Sequence, residues 1–269
     1  LYGDSEASLR PSADMLEGLD LFVADLQDVG SRYYTYVWSA AMCLEACAEA
    51  GLEFLILDRP NPLGGIEVEG PGVGEGFRSF VGYRDVPTRH GLTIAEILRV
   101  HAETLGLEAV LRVLPMEGYQ RRMWFDETGL PWVLPSPNMP SLETAIVYPG
   151  MCLIEGTNVS EGRGTTRPFE LVGAPWIRGA ELAKKLEEAN LPGCRFRPLD
   201  YKPMFQKHAG ESCGGIQTHV TNRESFRPLR TGVALVSALW ELGRDHGFEW
   251  RRETYEYIGL VLFAGLTAR

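Results

Sequence analysis

The apolar positions of the chain fall into short unbroken runs set between longer segments of mixed pattern. Leu19-Asp-Leu-Phe-Val-Ala-Asp-Leu26 has the length and texture of a buried parallel strand. From Tyr33 to Ala50 the spacing becomes helical, with Trp38, Met42, Ala46 and Ala50 on one face, and Gly51 stands where a helix would stop. Leu52 to Asp58 is a second apolar run. It must leave a sheet at Arg59-Pro-Asn-Pro-Leu-Gly-Gly65, because Pro60 and Pro62 have no N–H to offer a ladder. Strand, helix and strand in this order predict a βαβ unit and a parallel sheet. Residues 66–90 form a Gly-rich excursion with little periodicity. Thr93-Ile-Ala-Glu96 then has the spacing of a capping box, and Ile94, Ile97, Leu98 and His101 continue one helical face towards Gly106. Glu108 to Met116 alternates loosely, as a strand would.

Trp124 to Pro140 is a proline-rich loop, and the apolar stretch 141–154 fits a helix or a strand. A helix that delivers Glu155 at its end is the reading we favour. Arg178 to Asn190 is amphipathic with Leu182 and Leu186 apolar, Cys194 to Leu199 and Gly215 to Val220 have strand character, and Leu229 to Arg244 is helical in pattern. The expectation is an α/β unit over residues 1–168 followed by a smaller α+β unit over 169–269, with the change near Phe169. Leu1-Tyr-Gly reads as the tail of a strand already under way, and Gly259 to Arg269 is apolar without punctuation. With neither an initial Met nor a secretory signal, the chain is expected to be a fragment.

Composition narrows the chemistry. With 269 residues, 45% of them hydrophobic, a sizeable core can be buried. A formal net charge of −10 argues against nucleic acid as a partner, since phosphate-binding surfaces are basic. No apolar run approaches the roughly 18 residues that span a bilayer. The five cysteines show no metal or redox spacing, Cys43 and Cys47 being four apart on a helix, and all are read as buried or incidental thiols. Five scattered histidines offer no zinc spacing. Gly70-Pro-Gly-Val-Gly-Glu-Gly76 does not fit a dinucleotide fingerprint, and neither a phosphate-binding loop nor a GxSxG elbow occurs, so no metal or cofactor is expected.

The candidate chemistry lies in polar stretches at strand ends, where open parallel sheets bind ligands. One is Gln27-Asp28 with Arg32; another is Asp58-Arg59 with Asn61. The third and richest is the loop 155–170, with Glu155, Glu161 and Glu170, the guanidiniums of Arg163 and Arg167, and glycines 156, 162 and 164 that allow tight turns. Sites built of carboxylates suit glycoside hydrolysis, which needs one carboxyl to protonate the leaving oxygen and one carboxylate to attack or to activate water. Glu155 and Glu161 are therefore the catalytic candidates. Asp28, Arg32, Asp58, Arg59, Asn61, His90, Asn138, Asn158, Arg163 and Arg167 form the substrate-binding set. Each has a plainer reading. Asp58 could cap a turn instead of touching substrate, His90 could be a hydrogen-bonding residue, and Arg163 or Arg167 could simply pair with Glu155 or Glu161. Glu170, beside Phe169, is read as structural.

Taken together, Asp25-Leu-Gln-Asp-Val-Gly-Ser-Arg-Tyr-Tyr-Thr-Tyr36, Leu57-Asp-Arg-Pro-Asn-Pro62, Arg89-His-Gly91, Pro135-Ser-Pro-Asn-Met-Pro140 and Glu155-Gly-Thr-Asn-Val-Ser-Glu-Gly-Arg-Gly-Thr165 resemble the exo-β-N-acetylmuramidase family over about residues 1–250. The resemblance implies a Rossmann-like N-terminal domain, a smaller C-terminal domain and a cleft between them. It also implies release of N-acetylmuramic acid from the non-reducing ends of peptidoglycan fragments, outside the cytoplasm. The lactyl carboxylate and N-acetyl group of such a sugar would find partners in Arg163 or Arg167 and in Asn138. The sequence departs from the family at both ends. The family carries a further strand-helix-strand before the counterpart of Leu1, with a Pro-Glu-His-Gly stretch whose Glu is its usual catalytic candidate. If that Glu is the general acid, this chain alone would be inactive, and its sheet would expose apolar edges. After Ile258 it also diverges. The alternatives are a non-catalytic muropeptide-binding module and, more remotely, a nucleotide-using Rossmann enzyme, which the lack of a phosphate-cradling glycine loop speaks against.

Overall fold

The computed structural model describes Leu1 and residues 6–251. The strand tail expected at Leu1-Tyr-Gly, the divergence after Ile258 and the apolar run from Gly259 lie wholly or partly outside the described residues. A short helix, α1 (Ala13–Leu16), precedes a three-stranded parallel sheet of β1 (Leu21–Ala24), β2 (Glu53–Leu57) and β3 (Leu111–Leu114) in that order. Helix α2 (Tyr36–Ala50) joins β1 to β2, and α3 (Ile94–Leu105) lies between β2 and β3.

Local signals in the sequence account for these bounds. Gly51 ends α2 in the left-handed conformation at φ 66°, and Gly106 ends α3 at φ 69°. Thr93 and Glu96 form the capping box that starts α3, the Thr93 side chain accepting from the Glu96 N–H and the Glu96 carboxylate from the Thr93 N–H. α2 begins three residues later than the sequence pattern suggested, because Tyr33 and Tyr34 belong to the loop that leaves β1.

One expectation needs correction. β1 was read as buried on both faces, but exposure alternates along the parallel strands. Phe22, Ala24, Phe54 and Ile56 face the core built with α2 and α3, while Leu21, Val23 and Leu114 on the other face are exposed. Both crossover helices lie on one side, so an apolar run alone did not mean two covered faces.

The second unit is an antiparallel sheet in the order β4-β6-β5, with β4 (Leu171–Ala174), β5 (Cys194–Tyr201) and β6 (Cys213–Val220); α5 (Gly179–Glu188) packs on β5 and β6, and α6 (Pro228–Gly243) packs on α5. The stretch 141–154 forms α4 (Leu142–Met151), a helix, and runs into a 3-10 turn, Cys152–Gly156, which carries Glu155. α4 packs directly on α6 through two glycines: a Cβ on Gly232 would lie 2.2 Å from the Gly150 carbonyl oxygen. The segment 171–174 was not anticipated as a strand. It is only four residues long, is wholly buried and stops just before Pro175. No helix among the described residues is long and apolar enough to cross a membrane. All five cysteines are buried and free.

Candidate active site

The strand-end residues converge. Asp28, buried just beyond β1, accepts a hydrogen bond from the Gly30 N–H at 2.7 Å through Oδ2, which also lies 3.2 Å from His90 Nε2. His90 Nδ1 accepts from the Leu92 N–H at 3.1 Å, which leaves the hydrogen of the neutral imidazole on Nε2, facing Asp28. The other Asp28 oxygen, Oδ1, is buried without a hydrogen-bond partner. Asn61 closes the same region from the end of β2, its Oδ1 accepting from the Leu63 N–H and its Nδ2 donating to Leu92 O at 2.9 Å. Gly30 is required here, since a Cβ on it would come within 2.5 Å of Asn61 Oδ1 and its φ is 79°.

Three other members of the predicted set are engaged elsewhere. Both Asp58 oxygens serve the start of α3, accepting from Thr93 Oγ1 at 2.9 Å and from the Ala95 N–H at 3.1 Å. Burial raises the Asp58 carboxyl above its ordinary value, against these two hydrogen bonds. So Asp58 does cap, but it caps α3 and not the Asn-Pro turn. Arg59 is partly exposed and forms a forked pair with Asp25 at 2.5 and 2.8 Å. Arg32 is buried and ties down the Gly-rich excursion, donating through Nη1 to Pro71 O at 2.7 Å and Val86 O at 2.8 Å. Burial holds its guanidinium below the usual value.

The charged loop builds a second group. Glu155 and Glu161 are both buried, and a single guanidinium spans them: Arg163 Nη2 lies 2.6 Å from Glu155 Oε1, and Nη1 lies 3.2 Å from Glu161 Oε1. Lys207 completes the group from the far side, its Nζ donating to Glu161 Oε2 at 2.9 Å and to the carbonyls of Val159 and Ile154. The two carboxyls titrate in opposite directions. Burial raises Glu155, against the pull of Arg163 and with some help from Glu161. Burial also opposes ionisation of Glu161, but Lys207 and Arg163 together outweigh it and hold the group below the ordinary carboxylate range. The cations face outward: the Arg163 and Lys207 side chains are 16% and 15% exposed, against 5% and 2% for Glu155 and Glu161.

A row of rings links the two groups. Tyr34 meets Tyr148 edge-on at 6.1 Å between centroids, Tyr148 meets Phe169 at 4.8 Å, and Arg163 lies over the Phe169 ring at 5.1 Å. Burial pushes the Tyr34 hydroxyl upward, and the neighbouring Asp28 adds to that; for Tyr148, burial is reinforced by Cys152 and Glu155. The remaining candidates stand apart. Asn158 binds the chain at Gly247 and Glu249 through both ends of its amide. Arg167 is half-exposed and donates to Glu170 Oε2 at 3.3 Å in a separate groove. Asn138 is half-buried among its prolines.

Lys207 was not found by sequence reasoning. It lies on a turn in which Gln206 and His208 both take positive φ, 68° and 57°, and nothing in the pattern brings that turn to Glu161. The one available signal was arithmetic, since the loop 155–170 holds three carboxylates and only two guanidiniums. Among the described residues no group of three His, Cys, Asp or Glu side chains is placed to hold a metal ion.

Comparison with known proteins identifies the family of the chain. Residues 1–143 match the family model described as exo-beta-N-acetylmuramidase NamZ, N-terminal, and residues 146–267 match its C-terminal counterpart. The chain is 46% identical over 242 residues to the peptidoglycan beta-N-acetylmuramidase NamZ of Bacillus subtilis (strain 168), covering 90% of this chain and 58% of that relative's length. Two crystal structures of DUF1343 family proteins from Bacteroides fragilis NCTC 9343 are similar in fold, with TM-scores of 0.85 and 0.70 at 31% and 27% identity. Each match covers 95% of this chain and 67% of the other. With both halves matched in order and nearly half the aligned residues shared with the Bacillus relative, the chain belongs to the exo-β-N-acetylmuramidase NamZ family.

Proposed function

We propose that the protein is an exo-acting glycoside hydrolase that releases N-acetylmuramic acid from the non-reducing ends of peptidoglycan fragments, and that it works outside the cytoplasm. Within a chain of this family, the observation that carries the reading is the buried pair on one loop, Glu155 displaced upward and Glu161 downward. Cleavage of a glycosidic bond needs one carboxyl that keeps its proton and one that stays ionised, and environments that drive two carboxyls apart assign those roles. Glu155 is then the proton donor, and Glu161 the counter-charge to the developing cation. With Glu155 protonated, the group of Glu155, Glu161, Arg163 and Lys207 carries one net positive charge, suited to a lactyl carboxylate approaching its outward-facing cations.

A second assignment of the chemistry within the same function is favoured by Asp28, whose Oδ1 is buried and unpaired while Oδ2 is fixed by Gly30 and faces His90. One experiment separates the two. The protein expressed from its complete gene is assayed with a chromogenic β-N-acetylmuramide, beside Glu155→Gln, Glu161→Gln and Asp28→Asn. Chromophore release is expected, with a loss of at least about a hundredfold in the two Glu variants, the scale of one acid or base group. Near-wild-type rates in both Glu variants with a dead Asp28→Asn would move the chemistry to the strand end. No release by the folded protein would end the hydrolase reading.

A further inference from the structure

Among the described residues, the non-glycine positions with a left-handed backbone are Phe169, Asn190, Gln206 and His208. Asparagine tolerates this region, and Asn190 stands just past the end of α5. The other three border the Glu155–Glu161 group: Gln206 and His208 flank Lys207, which binds Glu161, and Phe169 lies beneath Arg163. For a side chain as bulky as phenylalanine, φ 63° is a strained conformation. The same loop uses glycine at 162 and 164, with φ 80° and 83°, where a left-handed turn is all that is needed. At 169 it keeps a ring, so the ring must do something that offsets the strain. The backbone there is held from both sides. The Phe169 N–H donates to Glu161 O at 2.6 Å, and the Leu171 N–H closes the turn onto Arg167 O at 3.2 Å. Glu170 is tied at both ends, its carbonyl accepting from the Thr218 N–H and its carboxylate from Thr144 and Arg167.

The ring itself is only 1% exposed, with Tyr148 packed against it at 88° and the Arg163 guanidinium over it at 5.1 Å. A guanidinium is drawn to the negative face of an aromatic ring, and more strongly where water is excluded. This contact uses none of the N–H donors that hold the two carboxyls, so it restrains Arg163 without competing with Glu155 or Glu161. We infer that Phe169 is a positioning residue: its strained backbone sets the ring beneath Arg163, and the ring holds the guanidinium between Glu155 and Glu161. The consequence for catalysis rests on the function proposed above; the positioning follows from the loop alone. Through Arg163 the ring acts on both carboxyls. Burial pushes each of them up; against it stand Arg163 at Glu155, and Lys207 with Arg163 at Glu161. A loosened guanidinium therefore lets both rise.

The test reads the carboxyls directly. Protein expressed from its complete gene, isotope-labelled at the glutamate carboxyl carbon, is titrated by NMR, with Glu155→Gln and Glu161→Gln assigning the two signals. Position 169 is changed in two ways: Phe169→Leu, and pentafluorophenylalanine introduced there, which nearly keeps the shape of the ring and reverses its quadrupole. In both proteins the Glu155 and Glu161 midpoints are expected to rise by about half a pH unit or more, the scale of one cation–ring contact. Thermal unfolding controls for folding, and the fluorinated ring decides the matter if the leucine variant does not fold. A lower melting temperature with both midpoints in place is what a purely structural Phe169 would give, and in the folded fluorinated protein that result overturns the inference. The titration needs no substrate. Raised midpoints in a protein that cleaves no muramide would leave the positioning standing and remove the hydrolase reading; muramide cleavage with unmoved midpoints would do the reverse. Where cleavage occurs, both limbs of its pH profile should move to higher pH with the midpoints.

Discussion

Lys207→Met tests whether the cation behind Glu161 holds the charged loop in its fold. Methionine keeps most of the apolar stem and removes the charge that sits 2.9 Å from Glu161 Oε2. Removing one partner of a buried ion pair costs about 3–5 kcal/mol because the other charge is left behind. Here Arg163 remains at 3.2 Å and Lys207 is 15% exposed, so the lower end applies, about 3 kcal/mol. For a domain of this size that lowers Tm by roughly 6–12 °C. The loss depends on pH, and its sign follows from the direction of the Glu161 shift. In the wild type the folded carboxyl lies below its ordinary value, so its contribution is present above the unfolded value of about 4.3 and is lost as pH falls through the folded value. Without Lys207, burial is opposed by Arg163 alone and the folded value rises. The penalty then develops above about pH 4.3 and grows with pH, because protonation can no longer relieve it. Urea unfolding followed by tryptophan fluorescence at about pH 5 and pH 8 should show the larger loss at pH 8. Glu161→Gln in the Lys207→Met background should cost less than the sum of the single changes by more than about 1 kcal/mol. Equal losses at both pH values, or additivity within about 0.5 kcal/mol, would refute the reasoning.

Two further outcomes follow from packing and from a second buried network. Gly232→Ala would press a methyl against the Gly150 carbonyl at 2.2 Å, backbone on backbone, so α4 and α6 must separate; a loss of about 3 kcal/mol or more is expected by circular dichroism, and a melting temperature within about 2 °C of wild type would count against this crossing. His101 is held neutral, with Nδ1 accepting from Arg84 Nε at 2.8 Å and Nε2 lying 2.8 Å from Glu45; burial and then Arg84 lower its pKa, so its contribution is present above about pH 6.5 and is lost as pH falls from there. The melting temperature of His101→Gln should therefore fall less than that of wild type between about pH 7.5 and pH 5.5, and identical slopes would contradict the assignment.

Much of the fold was legible because its signals are local. Gly51, the Thr93–Glu96 box and Gly106 each fix a helix end by backbone chemistry that needs no knowledge of the neighbours. The choice of helix over strand for 141–154 rested on a long apolar run, and α4 occupies most of it despite Pro149, which falls near its end. What failed was anything that depended on a partner. The exposed face of β1 could not be read from Leu21 and Val23, because coverage is decided by where the crossover helices land. β4 was hidden because four buried residues beside a proline carry almost no period, and their pairing with β6 is made by residues 40 to 46 positions away.

The site divides along the same line, and the division says something about how such loops work. That Asp28 and Asn61 meet was implied by their places at strand ends of a parallel sheet, a topological rule that sums over the whole element order, whereas His90, which stands before α3, is brought to Asp28 by contacts that the rule does not cover. The fate of each charge in the loop 155–170 was not implied by anything, because three carboxylates and two guanidiniums admit several pairings of similar energy. The structure chooses among them by burial. Glu155 ends a 3-10 turn beneath α4 and Glu161 sits under the Lys207 turn, so both lose solvent, and only a shared Arg163 and an imported lysine make that tolerable. Arg167, four residues beyond Arg163 and past the left-handed Gly164, is delivered to a different groove and pairs there with Glu170. The loop thus spends its charges in two places, one around Arg163 and one around Arg167.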